Sequence, residues 1–389
     1  MTLRTALTRW LLCALAGILV FLATTRPAGS AEGDAAQPER IVAVGDVHGD
    51  YDQFVRLLRA VGLIDEKDRW TGGKTHLVQT GDVLDRGPDS RKVMDLLQKL
   101  ERPARRAGGA VHALIGNHEA MNVYGDLRYV SPGEYEAFRS SRSAEIRSQF
   151  YEQHVEELKR NPPAAGLPEF DKAFREKWEA EHPLGYFEHR VAFGPNGDYG
   201  KWIRGSEAVI RVGDTLFLHG GVGPKYADSS VDEINRRILE ELKDFSKLRE
   251  GIVLDSEGPL WYRGLAQESE AALQDHVQHV LKTFGVKRLV VGHTPQPGVV
   301  MPRFGGQVIL IDIGLSQAYG GNFACLILEQ GKAYAFHRGQ KLELPASSDS
   351  QQVLGYLEKA AALDPSPSPI APLIQAIKKG VALPASAKE

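Results

Sequence analysis

Five short apolar segments, each typical of a buried strand, end in a turn that combines glycine with Asp, Asn or His. Apolar residues at helical spacing follow the first two turns. This alternation predicts an α/β architecture with its binding loops at the carboxyl ends of the strands. The segments and their turns are Ile41–Val44 before GDVHGD, Leu77–Thr80 before GDVLDRG, Val111–Ile115 before GNHE, Thr215–Leu218 before HGG, and Arg288–Val291 before GHT.

These turns would bring six polar side chains to one place. One Asp-x-His pair is more often a surface loop, and one histidine after a strand is more often structural than a ligand. Five loops that carry almost only hard oxygen donors and imidazoles favour a metal site instead. The six residues are Asp46, His48, Asp82, Asn117, His219 and His293.

The five motifs, in this order, resemble the calcineurin-like metallophosphoesterase superfamily. The DRG and GNHE forms are similar to those of the phosphoprotein phosphatase family, and in particular of the bacterial Shewanella-like protein phosphatases. The resemblance implies an α/β fold with a central β-sandwich flanked by helices, in four αββα layers. It rests further on GNHEAMN at 116–122, YGKW at 199–202, PLWYRG at 259–264 and AYGG at 318–321.

The resemblance also implies two metal ions, and this donor set suits manganese, iron or zinc. Asp82 would bridge them. The implied ligands are Asp46, His48 and Asp82 for the first ion, and Asp82, Asn117, His219 and His293 for the second.

Other residues of the same motifs receive catalytic or substrate-binding roles by resemblance. His118 would protonate the leaving group, and Asp85 would orient its imidazole. Arg86 would bind the phosphate, together with Asn117, although a structural salt bridge is the alternative for Arg86. Arg263 is a candidate second phosphate ligand, and a packing role for its segment is equally open.

The implied function is a dinuclear phosphomonoester hydrolase that acts on phosphoserine, phosphothreonine or phosphotyrosine by direct attack of a metal-bridging hydroxide. The alternative is a secreted nucleotide or dinucleoside polyphosphate hydrolase, or a small phosphodiesterase. A binding module without catalysis is disfavoured, because it needs no general acid. The partners expected are phosphorylated proteins or small phosphoesters. No regulatory subunit is expected, because the loop at 316–321 departs from that of the eukaryotic relatives.

The predicted organisation is a signal peptide at 1–31, a catalytic domain at 40–340 and a peripheral tail at 345–389. The 101 positions that separate His118 from His219 exceed the interval in eukaryotic relatives. We therefore interpret residues 130–203 as a helical insertion, with a charged helix over 132–159 and a second near 170–180, that could cap the site and select substrates.

The first residues have the three parts of a signal peptide: basic Arg4 and Arg9, an apolar run over 10–23, and small residues before Glu32. The run is shorter than the ~20 residues that cross a bilayer, so a membrane association is expected only if this segment stays attached. The predicted location is periplasmic or secreted. With 47 basic and 50 acidic residues, the chain has a net charge of −3 and is not expected to bind nucleic acid.

Overall fold

The computed structural model describes residues 38–164 and 166–379, so the predicted signal peptide lies outside the described residues. The described strands are β1 (Arg40–Val44), β2 (His76–Gln79), β3 (Ala110–Ala113), β4 (Val209–Val212), β5 (Thr215–Leu218), β6 (Arg288–Val291), β7 (Met301–Arg303), β8 (Val308–Leu310), β9 (Ala324–Glu329), β10 (Lys332–His337) and β11 (Gln340–Glu343).

These strands form two mixed sheets. The first has the order β11-β10-β9-β1-β2-β3, and β1, β2 and β3 are parallel. The second has the order β4-β5-β6-β8-β7, and β5, β6 and β8 are parallel. In each sheet the parallel strands therefore present their carboxyl ends, and the turns that follow them, at one edge.

Helices flank the two sheets, which confirms the predicted α/β class. The described α-helices are α1 (Tyr51–Ala60), α2 (Ser90–Arg106), α3 (Asn117–Tyr124), α4 (Pro132–Phe138), α5 (Ser143–Arg160), α6 (Lys172–Glu181), α7 (Tyr186–Phe193), α8 (Asp198–Arg204), α9 (Val231–Lys243), α10 (Gly264–Gln267), α11 (Glu270–Thr283), α12 (Ser350–Ala361) and α13 (Ala371–Lys378).

Helix α1 shows how a helix begins after the first strand-end turn. The Asp50 carboxylate accepts a hydrogen bond from the Gln53 N–H and so caps the first turn. Phe54, Leu57 and Leu58 then lie on one face, fully buried against the first sheet's core. The two sheets and most helices share one contiguous hydrophobic core.

The segment 130–203 forms five helices in two layers. The inner layer is α4, α7 and α8, and its Phe138, Phe193 and Tyr199 belong to the main core. The outer layer is α5 and α6, which enclose a small separate core around Trp178 and Tyr151. The single charged helix predicted over 132–159 is broken at residues 139–142, between α4 and α5.

The C-terminal segment 345–379 packs more closely than a peripheral tail would. Leu357 and Ile370 are fully buried in the main core, and the Tyr356 hydroxyl donates to the Val300 carbonyl at 2.7 Å. Between residues 38 and 379, with residue 165 left aside, no helix is long and apolar enough to cross a membrane.

Candidate active site

All six predicted metal ligands are buried at the meeting point of the two sheets. Asp46, His48, Asp82 and Asn117 follow strands of the first sheet, and His219 and His293 follow β5 and β6 of the second. His48, Asp82 and His293 adopt positive φ angles of 45°, 57° and 65°. This conformation is uncommon for non-glycine residues, and three of the predicted ligands adopt it in the turns that form the site.

Hydrogen bonds and close backbone approaches join the loops of the two sheets. The His293 N–H donates to both carboxylate oxygens of Asp46, at 3.0 and 3.2 Å. Gly116 must be glycine, because a Cβ atom there would lie 2.3 Å from Asp82 Oδ1. A Cβ atom on Gly292 would likewise lie 2.4 Å from Asp46 Oδ1. The motif glycines therefore let the ligand carboxylates approach the neighbouring backbone.

The ligands expected for the second metal ion form a cluster around His219, which we call the second cluster. Its other members are Asp82, Asn117 and His293. The Nδ1 of His219 faces the Thr80 carbonyl at 3.0 Å and therefore carries the ring proton, which leaves Nε2 as an acceptor. That Nε2 lies 3.2 Å from Asp82 Oδ2 and 2.8 Å from Asn117 Oδ1. His293 contributes its Nδ1, which lies 3.0 Å from His219 Nε2. Imidazole nitrogens, a carboxylate and an amide oxygen that converge in this way fit a bound cation.

The first cluster has the same character. His48 Nδ1 donates to the Leu84 carbonyl at 2.9 Å, so its Nε2 faces the carboxylates of Asp46 and Asp82 at 4.0 and 3.9 Å. Burial, together with the neighbouring His118, lowers the pKa of His48 to about 3. A neutral imidazole opposite two carboxylates is a metal-ligand arrangement. The two clusters share Asp82.

His118 is bonded differently from the other histidines. Its Nδ1 lies 2.5 Å from Asp85 Oδ2, and both side chains are buried. Burial opposes protonation of His118, but the carboxylates of Asp82 and Asp85 outweigh it and raise its pKa to about 9. Distance alone would also allow His118 Nε2 to join the first metal cluster, 3.8 Å from Asp82 Oδ2. Because the Asp85 carboxylate already bonds to Nδ1 of this ring, the geometry favours an oriented proton donor.

Arg86 lies beside this pair between two tyrosine rings. Its guanidinium carbon is 4.0 Å from the centre of the Tyr129 ring and 5.7 Å from that of Tyr319. Its buried Nε has no hydrogen-bond partner within the described part of the chain. A guanidinium held in this way can donate to an anion, as the predicted phosphate-binding role requires.

Arg263 lies beside the second cluster, and its guanidinium hydrogen-bonds to the protein backbone. It donates to the His293 carbonyl at 2.8 Å, and the neighbouring Trp261 ring lies 5.8 Å from the His293 ring. The segment therefore supports the second cluster through packing. Its predicted contact with phosphate stays a prediction.

Two carboxylates and an amide that had no assigned role also build the site. Glu119 accepts hydrogen bonds from the backbone N–H groups of Asp82, Val83 and Gly116, each at 2.8 Å. Asn122 donates to Asp85 Oδ1 at 3.0 Å, and Glu134 accepts from the Asp85 N–H at 3.1 Å. Glu119 and Asn122 stand inside the GNHEAMN motif, whereas Glu134 carries no motif signal apart from a helix-capping pattern.

A groove of about 770 Å³ opens beside the two clusters. Its walls include Tyr124, Tyr129, Trp261 and Tyr262, and we call it the aromatic groove. Tyr129 connects it to the proton donor, because the ring centres of Tyr129 and His118 are 5.2 Å apart. The groove is large enough for an aromatic side chain and part of its peptide.

Comparison with known proteins agrees with this geometry. A protein of Schizosaccharomyces pombe (strain 972 / ATCC 24843) is 33% identical over 330 residues, which cover 81% of this chain and 86% of that protein. Shewanella-like protein phosphatase 2 of Arabidopsis thaliana is 34% identical over 292 residues, or 72% of each chain. The crystal structure of a cold-active protein-tyrosine phosphatase of a psychrophilic Shewanella species is similar, with 28% identity and a TM-score of 0.59 over 79% of this chain and 80% of that one.

The family model of the calcineurin-like phosphoesterases matches residues 39–297, which contain all five strand-end turns. This chain therefore belongs to the calcineurin-like phosphoesterase family.

Proposed function

We propose that this protein is a metal-dependent phosphatase that removes phosphate from phosphorylated proteins. The observation that carries the proposal is the buried pair of His118 and Asp85 beside two metal-binding clusters that share Asp82. A binding protein needs the clusters alone, whereas hydrolysis of an ester also needs a proton donor for the leaving group.

Each group then has a separate task. Two bound metal ions supply charge neutralisation and a nucleophile of lowered pKa. Arg86 binds the phosphoryl oxygens, and its position between two tyrosine rings limits its movement. His118 gives its proton to the leaving oxygen, while Asp85 keeps the imidazole charged and oriented. Manganese, iron and zinc all suit the donor set.

The aromatic groove supports a peptide substrate. Its four aromatic side chains can contact the ring of a phosphotyrosine or the side chains on either side of a phosphorylated residue. Two relatives that this chain matches over two thirds of their length are named Shewanella-like protein phosphatases, and the similar crystal structure is that of a protein-tyrosine phosphatase. A nucleotide or dinucleoside polyphosphate hydrolase has less support.

We propose as well that the protein is exported after removal of residues 1–31 and that it works without a regulatory subunit. The basic, apolar and small-residue parts of this segment support the first statement. Expression of the full chain in a bacterial host, followed by N-terminal sequencing of the exported protein, tests it. A mature chain that begins at Glu32 is expected, and retention of Met1 on the exported protein would contradict removal of the segment.

The substrate class is tested with purified protein against phosphotyrosine, phosphoserine and phosphothreonine peptides, nucleotides and phosphodiesters in parallel. Phosphopeptides should give the highest kcat/KM. A higher kcat/KM on nucleotides or dinucleoside polyphosphates would favour the alternative function.

A further inference from the structure

The loop that carries the proton-donor pair holds an unusual backbone conformation. Asp85 and Arg86 are consecutive non-glycine residues with φ angles of 69° and 68°. L-residues avoid this region, so two in succession persist only where the surroundings hold them. The side chain of Asp85 must nevertheless meet His118 Nδ1 at 2.5 Å.

Tyr129, Ser131 and Glu134 hydrogen-bond to the backbone of three successive residues, 85, 86 and 87. The Glu134 carboxylate accepts from the Asp85 N–H at 3.1 Å, and the Tyr129 carbonyl accepts from the Arg86 N–H at 3.1 Å. The Ser131 hydroxyl donates to the Gly87 carbonyl at 2.8 Å. The start of the insertion is therefore fastened to the catalytic loop.

Glu134 does more than cap its own helix. In helix α4, Ser131 accepts from the Glu134 N–H, and Glu134 Oε2 accepts from the Ser131 N–H at 3.2 Å, which is a capping box. That role needs one oxygen and no burial. Here the side chain is only 3% exposed, and its other oxygen is used by Asp85. Burial and the charge of Asp85 raise the pKa of Glu134 to about 8, so the position is costly for a carboxylate.

Asn122 of helix α3 bonds to one carboxylate oxygen of Asp85 and is itself contacted by the insertion. Asn122 donates to Asp85 Oδ1 at 3.0 Å, and the Asn122 carbonyl accepts from Arg190 of helix α7 at 2.6 Å. The insertion thus contacts Asp85 directly, where Glu134 accepts from the Asp85 backbone N–H, and indirectly, where Arg190 contacts Asn122.

We propose that Glu134 is a positioning residue for the proton donor, and that the inner layer of the insertion is a working part of the active site. Glu134 fixes the backbone of Asp85 so that its carboxylate meets His118. This inference rests on the proposed phosphatase function, because it assigns His118 as the acid for the leaving group.

The test compares Glu134→Ala and Glu134→Gln with Glu136→Ala as the matched control. Glu136 is on the same helix, is exposed, and pairs only with Arg139 among the contacts described. With an alkyl phosphate, Glu134→Ala should lower kcat by about 10–100-fold, the usual cost of losing a group that orients a catalytic residue. With nitrophenyl phosphate, whose leaving group needs less protonation, the loss should be below about 3-fold.

Glu134→Gln keeps one acceptor oxygen for the Asp85 N–H, so it should recover much of the activity on the alkyl phosphate. It also keeps the volume of the side chain if Glu134→Ala does not fold. Glu136→Ala should stay within about 2-fold of the wild type on both substrates, because it breaks only an exposed pair. Equal losses on both leaving groups, with metal content unchanged, would contradict the positioning role.

A second readout separates this inference from the proposed function. The proton between His118 Nδ1 and Asp85 should give a downfield NMR resonance that His118→Asn removes. Glu134→Ala should shift or broaden it, and Glu136→Ala should not. A wild type that hydrolyses no phosphoester would refute the proposed function. An unchanged resonance in Glu134→Ala would refute the positioning role of Glu134.

Discussion

The two sides of the active site are built in different ways. On the metal side, Asp46, Asp82, His219 and His293 lie one to three residues after the end of a strand, so the two sheets place them close together. On the proton-donor side, Asp85 is hydrogen-bonded to Glu134 of the insertion and to Asn122 of helix α3. The Asn122 carbonyl in turn accepts from Arg190 of the insertion. The comparison teaches that strand ends place most of the metal ligands, whereas orienting a proton donor needs contacts from more distant segments.

The largest expected effect comes from Asp82→Asn, on the metal side. Asp82 is common to both clusters, so loss of its charge should lower metal content below two ions per chain. We expect kcat/KM to fall by more than about 10³-fold on every phosphoester, beyond the ~10–100-fold cost of losing a group that orients a ligand. Metal analysis and steady-state kinetics measure both. A variant that keeps two ions and most of its activity would place the bridge elsewhere.

A smaller and selective effect is expected from His118→Asn, on the proton-donor side. Removal of a general acid costs about 10²–10⁴-fold, and the loss should be greater with an alkyl phosphate than with nitrophenyl phosphate. Metal content should stay at the wild-type level. Loss of metal together with equal losses on both substrates would move His118 from the proton-donor side to the metal side.

The insertion itself can be divided to sharpen the comparison. Replacing the outer layer, residues 143–181, by a short flexible linker leaves Tyr135 and Phe138 of the inner layer in place. Activity on nitrophenyl phosphate should remain within about 3-fold, because the outer layer has its own small core. If the outer layer selects substrates, preferences among phosphopeptides should broaden. Unchanged ratios across a peptide panel would end that hypothesis.

The smallest expected effect concerns the pH dependence of stability. It involves His189, on helix α7 of the inner layer. Burial, with the nearby charge of Arg190, lowers the pKa of His189 to about 3, whereas the unfolded chain has the ordinary value of 6.5. The folded state therefore binds fewer protons than the unfolded chain below pH 6.5. The stability that neutral His189 contributes is fully present above pH 6.5 and is lost progressively as the pH falls below that value.

The variant His189→Phe isolates this contribution, because Phe138 and Phe193 already surround the ring. The wild type should lose up to about 1.4 kcal/mol of stability per pH unit through this one group below pH 6.5. Urea unfolding at pH 7 and pH 5 should show a smaller loss in the variant. The same loss in both proteins would mean that His189 does not titrate on unfolding.

The sequence predicted that the candidate metal ligands would gather in one place, because strands β1, β2, β3, β5 and β6 each precede a motif with its own donor residue. It did not predict strands β9–β11, whose apolar residues carry no motif. Helices α7 and α8 were also missed. Both helices are short, Gly194 and Gly197 flank them, and Gly200 lies within α8, so packing against the main core stabilises them instead.

For the proton-donor side, the sequence predicted the pair itself but not the residues that hold it in place. His118 and Asp85 stand in recognisable motifs, whereas the partner of the Asp85 N–H is Glu134, 49 positions along the chain. A carboxylate that accepts from a distant backbone group has no local signal. Glu119 stands in the GNHE motif, but only the structure reveals that it accepts hydrogen bonds from three backbone N–H groups.

The most direct test of the central claim is hydrolysis of a phosphotyrosine peptide by the purified protein before and after removal of metal, with the ions counted by mass spectrometry. Two ions per active chain, loss of hydrolysis after chelation, and recovery with manganese, iron or zinc are the expected results. Hydrolysis that continues in protein shown to be free of metal would contradict the two-metal site.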